Sequence, residues 1–237
     1  MVAAATVGFG IMAWADRTGG SIRIPAAICG LVGLKPSRGR VEASKETRDA
    51  PIDLVSNGIV SRSVRDTARF LADTQGFRPA PGMPPVGLVE GPGTKRLKIA
   101  LITEPLTGSL LDRDTQRCVT EAAELVESLG HRTEMVPLPV DRDYVRDFID
   151  YWSLLALALD RFGKRVVDKG FDRSQVDSFT RGLSRSALRH FYRLPGAVRG
   201  LRRSTAAIRG LHDTFDVVLN PTDEELRYCD VQAQPIT

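Results

Sequence analysis

A serine whose hydroxyl could act as a nucleophile stands at position 21, directly after Gly19 and Gly20. Glycines allow a backbone to turn tightly and to approach a bound molecule closely. The backbone N–H groups of Thr18, Gly19, Gly20 and Ser21 could then converge on one oxyanion, as acyl transfer to a serine requires. Gly-Gly-Ser is also common in ordinary turns and linkers, so the tripeptide alone does not decide between the two interpretations.

The residues around this serine extend the pattern over a long block, Asp16–Arg40, which reads DRTGGSIRIPAAICGLVGLKPSRGR. In order and spacing the block closely resembles the amidase signature family, with its glycine-rich turn, Ser-Ile-Arg-x-Pro-Ala, Cys-Gly and Gly-Leu-Lys-Pro. The resemblance implies hydrolysis or transfer at amide C–N bonds through an acyl-enzyme. The roles that it implies are as follows: Ser21 as the nucleophile, Thr18, Gly19 and Gly20 as the oxyanion hole, and Asp16 and Arg23 as supporting residues.

The family's nucleophile works with two further groups, a serine in a cis peptide bond and a lysine. A serine hydroxyl needs a positioned proton acceptor at neutral pH, and a desolvated lysine can be that acceptor. By resemblance both groups fall before Met1, and no later lysine matches a catalytic motif, so we expect a truncated member of the family. Loss of a catalytic proton acceptor costs about 10⁴- to 10⁶-fold in kcat in a well-studied triad, so the activity of this chain alone is expected to be impaired.

A second departure from the family lies beside the nucleophile. The position four residues before Ser21, where the family usually carries an aspartate, is occupied by Arg17, and the carboxylate stands at Asp16 instead. A guanidinium in place of a carboxylate reverses the local charge and could rearrange the hydrogen bonds of the turn. Alternatively, Arg17 simply points to solvent.

Two later segments continue the resemblance. Asn57–Ala68 is similar to a family segment that begins Gly-Pro and continues Arg-Ser-Val, although Ile59 replaces the proline. Within it, Ser63 is placed to cap a helix whose apolar positions are Val64, Ala68 and Leu71, so we assign this segment no chemistry. Phe215–Thr222 resembles a late strand of the family.

The resemblance is clear over about residues 2–222, and both ends are expected to be cut or diverged. We therefore interpret 1–237 as a single partial amidase domain. Residues 77–95 carry several prolines and glycines and are interpreted as an irregular surface connection.

The pattern after this connection predicts strand, helix and strand at 97–103, 114–129 and 133–138, followed by a helix over 143–169. Two strands joined through a helix form a parallel pair. The predicted fold class is therefore α/β, as the family resemblance also implies: a mixed, largely parallel β-sheet with helices on both faces, here incomplete. The expected core positions are Val119, Ala122, Val126 and Leu129 on the first helix and Trp152, Leu155, Leu159 and Phe162 on the second.

Composition indicates a globular chain, with 42% hydrophobic and 26% charged residues among 237. Apolar runs are too short to span a bilayer, so no membrane partner is expected. Three cysteines, without a zinc-binding spacing, suit a reducing cytoplasm; we expect no metal and no cofactor, and Cys29 to be a small buried residue. The three histidines lie in no recognisable motif and are expected to be structural.

Three interpretations of function remain open at this point. The first is an amidase that acts on a small amide and forms a homodimer. The second is a noncatalytic remnant or partner-dependent fragment of an amidase. The third is a basic nucleic-acid-binding protein, since arginines at 185, 189, 193, 199, 202 and 203 contribute to a net charge of +4. Without interleaved aromatic residues, the favoured interpretation of these arginines is a solvated helix face or a contact with missing parts of the fold.

Overall fold

The computed structural model describes residues 12–15, 22–37, 39–41, 57–77, 82–106, 110–140, 143–166 and 169–222. The chain divides into two compact units, with the boundary between Lys95 and Arg96, although 112–115 group with the first unit. Among the helices of these ranges, none combines the length and the hydropathy of a transmembrane segment.

The first unit contains a three-stranded antiparallel sheet. Its strands are β1 (Met12–Ala15), β2 (Val32–Leu34) and β3 (Gly58–Ser61), in the order β1-β3-β2. All four residues of the central strand β3 are buried. Strand β3 therefore lies in the core of this unit, between β1 and β2.

Two helices belong to this unit, α1 (Arg23–Ile28) and α2 (Val64–Phe77). The predicted cap of α2 is confirmed, because the backbone N–H of Asp66 donates to Ser63 Oγ at 3.1 Å. A second contact ties α2 to the sheet, where Ser61 Oγ and Thr67 Oγ1 lie 2.7 Å apart. Val64 does not face the core as expected; it is 71% exposed, because the buried face of α2 is made instead by Thr67 and Gln75.

Helix α1 packs very closely on β2 and β3, and two glycines make this possible. A Cβ at Gly33 would lie 2.8 Å from Ala26 Cβ and 2.9 Å from the carbonyl oxygen of Ile22. A Cβ at Gly58 would overlap the carbonyl oxygen of Leu34 and lie 2.9 Å from Ile22 Cδ1. Contact atoms that belong to the backbone cannot move aside cheaply, so both positions need glycine.

The substitution Gly58→Ala is therefore expected to lower the free energy of unfolding by about 1–3 kcal/mol through overpacking. The control is Gly91→Ala, since Gly91 has no atom within 4 Å of an added Cβ and shares the general effect of alanine on the unfolded chain. Urea titration followed by circular dichroism measures both. Equal stability of the two variants would contradict the close packing of α1 on β3.

The second unit contains a parallel sheet. Its strands are β4 (Lys98–Leu101), β5 (Arg132–Met135) and β6 (Val217–Leu219), in the order β5-β4-β6. Helix α3 (Arg113–Ser128) connects β4 to β5, which confirms the predicted strand-helix-strand passage and its parallel pairing. The late strand β6 pairs with β4, also in parallel.

Three longer helices complete the second unit: α4 (Tyr144–Val166), α5 (Ser178–Arg189) and α6 (Leu194–Leu211). Short 3₁₀ turns at Arg173–Gln175 and Phe191–Arg193 connect them. Helix α4 packs against both α5 and α6. The arginines at 185, 189, 193, 199, 202 and 203 are all exposed, as expected for a solvated face.

Several expected burials are corrected by the structure. Phe162 is 59% exposed because the backbone of α4 kinks there, with φ −123° and ψ 18°. The ring of Phe171 packs directly against the neighbouring Gly163 instead. Leu129 is also exposed, because α3 ends one residue before it, and Cys29 is only half-buried at the end of α1.

The α/β fold class is confirmed, with helices and strands in both units and with both antiparallel and parallel strand pairs. In the proline- and glycine-rich connection, the described residues 82–95 contain no helix or strand and are nearly all exposed. Two hydrogen bonds attach it to the first unit: Arg40 Nη1 donates to the carbonyl of Pro84 at 3.1 Å, and the N–H of Val86 donates to Gln75 Oε1 at 2.8 Å.

Candidate active site

The predicted site residues lie on a short segment between two described elements. Strand β1 ends at Ala15, and α1 begins at Arg23. Five of the six predicted functional residues, Thr18, Gly19, Gly20, Ser21 and Asp16, fall outside the described residues, as does Arg17. The sixth, Arg23, is the first residue of α1 and has an exposed side chain.

Ile22, the residue after Ser21 in the sequence, is held firmly in the core. It is 2% exposed and packs with Ala26 and Val60, which are 1% and 0% exposed, and with the partly buried Leu31. Its carbonyl accepts a hydrogen bond from the N–H of Ala26 at 3.2 Å, which begins the helical bonding of α1. The chain is therefore fixed in position immediately after the predicted nucleophile.

The residue before the segment, Ala15, also lies beside β3. Ala15, the last residue of β1, is the register partner of Gly58 in β3. Ile22 also lies against Gly58, since its Cδ1 is 2.9 Å from where a Cβ would stand. Ala15 and Ile22, the described residues on either side of 16–21, therefore both lie beside Gly58.

Later residues of the signature-like block also pack beside Gly58. Helix α1 ends at Ile28. The N–H of the next residue, Cys29, donates to the carbonyl of Pro25 at 3.1 Å, and the chain then continues to β2. After β2, the buried Pro36 reaches the same glycine, with its Cδ 3.2 Å from the position of a Cβ on Gly58. The block thus makes one packing unit around the start of β3.

Gly58 is a close-packed position beside the candidate site that the motif does not contain, since the sequence pattern of 57–68 indicates no chemistry. The available signal was a glycine inside a strand, which often marks a close approach of another backbone. Here the approaching groups are β2 and the beginning of α1. Its effect on the predicted nucleophile would be exerted through Ala15 and Ile22.

Two of the three described histidines, His131 and His190, have contacts consistent with a structural role. His131 Nδ1 accepts a hydrogen bond from the N–H of Leu97 at 3.1 Å, and His190 Nδ1 lies 3.1 Å from the carbonyl of Ser186. Within the described ranges, no group of three or more His, Cys, Asp or Glu side chains is arranged to hold a metal ion.

Comparison with known proteins gives the same family as the signature-like block. The family model described as "Amidase" matches residues 2–227. The protein named "Putative amidase AmiC" of Mycobacterium leprae (strain TN) is 44% identical over 212 residues, which cover 89% of this chain and 45% of that protein. The 6-aminohexanoate-cyclic-dimer hydrolase of Pseudomonas sp. (strain NK87) is 31% identical over 168 residues, 65% of this chain and 34% of that protein.

A solved structure shows that the fold is shared as well. A bacterial aryl acylamidase of the amidase signature enzymes superposes with a TM-score of 0.76 at 24% identity, over 93% of this chain and 47% of that one. The chain therefore spans less than half the length of these relatives. The family match over 2–227 covers almost the whole chain, and on this evidence the protein belongs to the amidase signature family.

Proposed function

We propose that this chain carries the nucleophile of an enzyme that hydrolyses amide bonds, and that the nucleophile is Ser21. The observation that supports the proposal most strongly is the family match over 2–227, which includes the whole block around Ser21. The pairing of Ala15 with Gly58 in the sheet and the contact of Ile22 with the same residue hold the described flanks of the segment in place. A nucleophile needs such support, because small displacements of reacting groups are costly in rate.

The proposed chemistry has two steps. Ser21 Oγ attacks the amide carbonyl carbon while its proton passes to an acceptor, and the amine leaves with a proton as the C–N bond breaks. Water then attacks the acyl-enzyme and releases the carboxylic acid and the free serine. The backbone N–H groups of residues 18–21 are proposed to stabilise the oxyanion in both steps.

The proposed substrate is a small amide, linear or cyclic. The names of the relatives support this breadth, since one is a hydrolase of a cyclic dimer and another is an aryl acylamidase. The proton acceptor is proposed to be the family's lysine, acting through its cis-serine, and neither position is matched within this sequence. For this reason the chain by itself is expected to turn over amides only slowly.

Amine release from a panel of amides tests this proposal. The panel contains an anilide, a short aliphatic amide and a cyclic oligoamide, and each is incubated with the purified chain and with Ser21→Ala. We expect slow hydrolysis of at least one member by the unaltered chain and none above background by the variant. Hydrolysis that is unchanged in Ser21→Ala would assign the activity to other groups.

The remaining expectations on assembly stay predictions. A single partial amidase domain, a homodimer and a cytoplasmic location are each compatible with the family membership. Light scattering after size-exclusion chromatography measures the mass of the assembly in solution. A mass of about twice the 25.9 kDa chain would support the homodimer.

A further inference from the structure

The second unit contains a cavity that the proposed amidase chemistry does not use. Its volume is about 490 Å³, and it lies between the first two turns of α4 and the α6 helix. Small-molecule sites in proteins typically have volumes of about 300–1,000 Å³. The cavity is therefore large enough for a small organic ligand.

The wall formed by α4 is acidic. Asp143, Asp147 and Asp150 line the cavity, and their spacing of four and three residues puts them on one side of the helix. Arg146 forms ion pairs with the first two: its Nη1 lies 3.0 Å from Asp143 Oδ1, and its Nη2 lies 3.4 Å from Asp147 Oδ1. Arg146 makes no such ion pair with the third carboxylate, that of Asp150.

Asp150 is the unusual member of the wall. It is only 8% exposed, and its Oδ2 is fully buried without a hydrogen-bond partner. Among the described residues, no nitrogen of a basic side chain lies within 4.0 Å of its carboxylate. A buried carboxylate oxygen without a donor is costly, and an ion or molecule bound from solution is one way to satisfy it.

The wall formed by α6 has the opposite charge. Arg199 and Arg203 line the cavity one helical turn apart, and neither makes an ion pair with a carboxylate in the described part of the chain. Between them lies Gly200, where an added Cβ would overlap Asp147 Oδ2. The two walls therefore approach closely at Gly200, while Asp150 and the two arginines make no ion pair with any described residue.

We propose that this cavity binds a small zwitterion, whose ammonium group pairs with Asp150 and whose carboxylate pairs with Arg199 or Arg203. A simple cation would neutralise only the acidic wall, and a simple anion only the basic wall. A molecule that carries both groups satisfies both, and charge-assisted hydrogen bonds are the strongest that a ligand can make here. The site is independent of Ser21, so the proposed function and this inference stand or fall separately.

Calorimetric titration of the folded chain with three probes tests the proposal. The probes are δ-aminovalerate, pentylamine and valerate, which have similar carbon chains but carry both charges, only the ammonium or only the carboxylate. We expect saturable binding of δ-aminovalerate, weaker binding of pentylamine and none of valerate. Absence of binding of δ-aminovalerate to a chain that is folded by circular dichroism would overturn the proposal, as would equal binding of pentylamine.

Two variants locate the site. Asp150→Asn and Arg199→Gln are each expected to weaken the binding of δ-aminovalerate by about tenfold or more, because each removes a charged hydrogen-bonding partner. The matched controls are Asp213→Asn and Arg202→Gln, which change the net charge equally at exposed residues that do not line the cavity. Loss of binding in the controls as well, or unchanged binding in both site variants, would contradict the assignment.

A measurement without ligand checks the buried carboxylate independently. Asp150→Asn removes an unpaired buried charge, so we expect its thermal midpoint to be higher than that of the unaltered chain. A lower midpoint would show that the chain itself already provides a favourable partner for Asp150. Arg199 is exposed, so the Arg199→Gln titration remains informative if Asp150→Asn does not fold.

Discussion

Replacing Ser21 with alanine is expected to lower kcat for amide hydrolysis by about 10⁴- to 10⁶-fold once the proton acceptor is supplied. The reason is that catalysis through an acyl-enzyme has no alternative route when the attacking hydroxyl is absent. The acceptor is supplied by adding a complementary polypeptide that carries the family's lysine and cis-serine. Release of the amine is then measured under saturating amide.

The control for this experiment is Ser37→Ala. Ser37 is an exposed serine of the same signature-like block, and it follows Pro36 just after β2. Its replacement is expected to change kcat less than about twofold, since exposed substitutions away from the reacting groups have small effects. Equal losses in Ser21→Ala and Ser37→Ala would indicate a general disturbance of the block and would contradict a nucleophilic role for Ser21.

The second large effect is expected at Asp160, a buried carboxylate that joins three elements of the second unit. It lies on α4 and is 5% exposed. Arg173, in the 3₁₀ turn, donates from Nε to Oδ1 at 2.7 Å and from Nη2 to Oδ2 at 3.2 Å. Ser184, on α5, donates from Oγ to Oδ2 at 2.7 Å. One carboxylate thus holds α4, the turn and α5 together.

These hydrogen bonds stabilise the charged form of the carboxylate. The bonds from Arg173 and Ser184 lower the pKa of Asp160 from 3.8 to about 2. Because the pKa of the folded state is depressed, the stabilisation is fully present above the unfolded pKa. It is lost as the pH falls from about 4 through 2.

Asp160→Ala is expected to lower the free energy of unfolding by about 2–3 kcal/mol at pH 7, because it removes charged hydrogen bonds and leaves Ser184 without its acceptor. The difference from the unaltered chain should shrink as the pH is lowered towards 2, where Asp160 of the unaltered chain is also protonated. Urea titrations at several pH values measure this difference.

Asp213→Asn is the control for the pH series. Asp213 is exposed just beyond the end of α6, and its variant is expected to differ little in stability from the unaltered chain at any pH. A stability difference for Asp160→Ala that stayed constant from pH 7 to pH 2 would show that the charge of Asp160 does not contribute.

The sequence predicts the elements of the second unit well and their contacts less well. The helix α3 is recognisable because its apolar residues recur at helical spacing between two short strands, and the parallel pairing of β4 and β5 follows from that order. The burial of individual residues depends on partners that are distant in the sequence. Asp160 meets Ser184 across 24 residues, and no local pattern marks such a pair.

The kink of α4 shows the same limit. A regular helix would have put Phe162 on the same side as Leu155 and Leu159, as the spacing predicts. The backbone leaves the helical conformation at Phe162, and the ring of Phe171 packs over Gly163 instead. The periodicity of the helix cannot predict that Phe171 replaces Phe162 at this place, because Phe171 lies beyond the end of the helix.

For the candidate site, the sequence predicts which residues take part. The structure shows how the elements on either side of them, β1 and α1, are held. The role proposed for Ser21 comes from the signature-like block through the family resemblance. That both flanks of the segment 16–21 meet at Gly58 depends on the register of β1 and on the packing of Ile22, neither of which the motif contains. The motif and the packing unit nevertheless coincide, since the described part of the block, through Pro36, packs around this one glycine.

The central claim, that Ser21 is the nucleophile, is tested most directly by the covalent adduct that a fluorophosphonate forms with an activated serine. The chain is treated with the reagent in the presence of the complementary polypeptide, digested and analysed by tandem mass spectrometry, with Ser21→Ala alongside. We expect a single phosphonylated residue, Ser21, and no adduct on this chain in the variant. An adduct on another residue of the unaltered chain, or labelling that persists in Ser21→Ala, would contradict it.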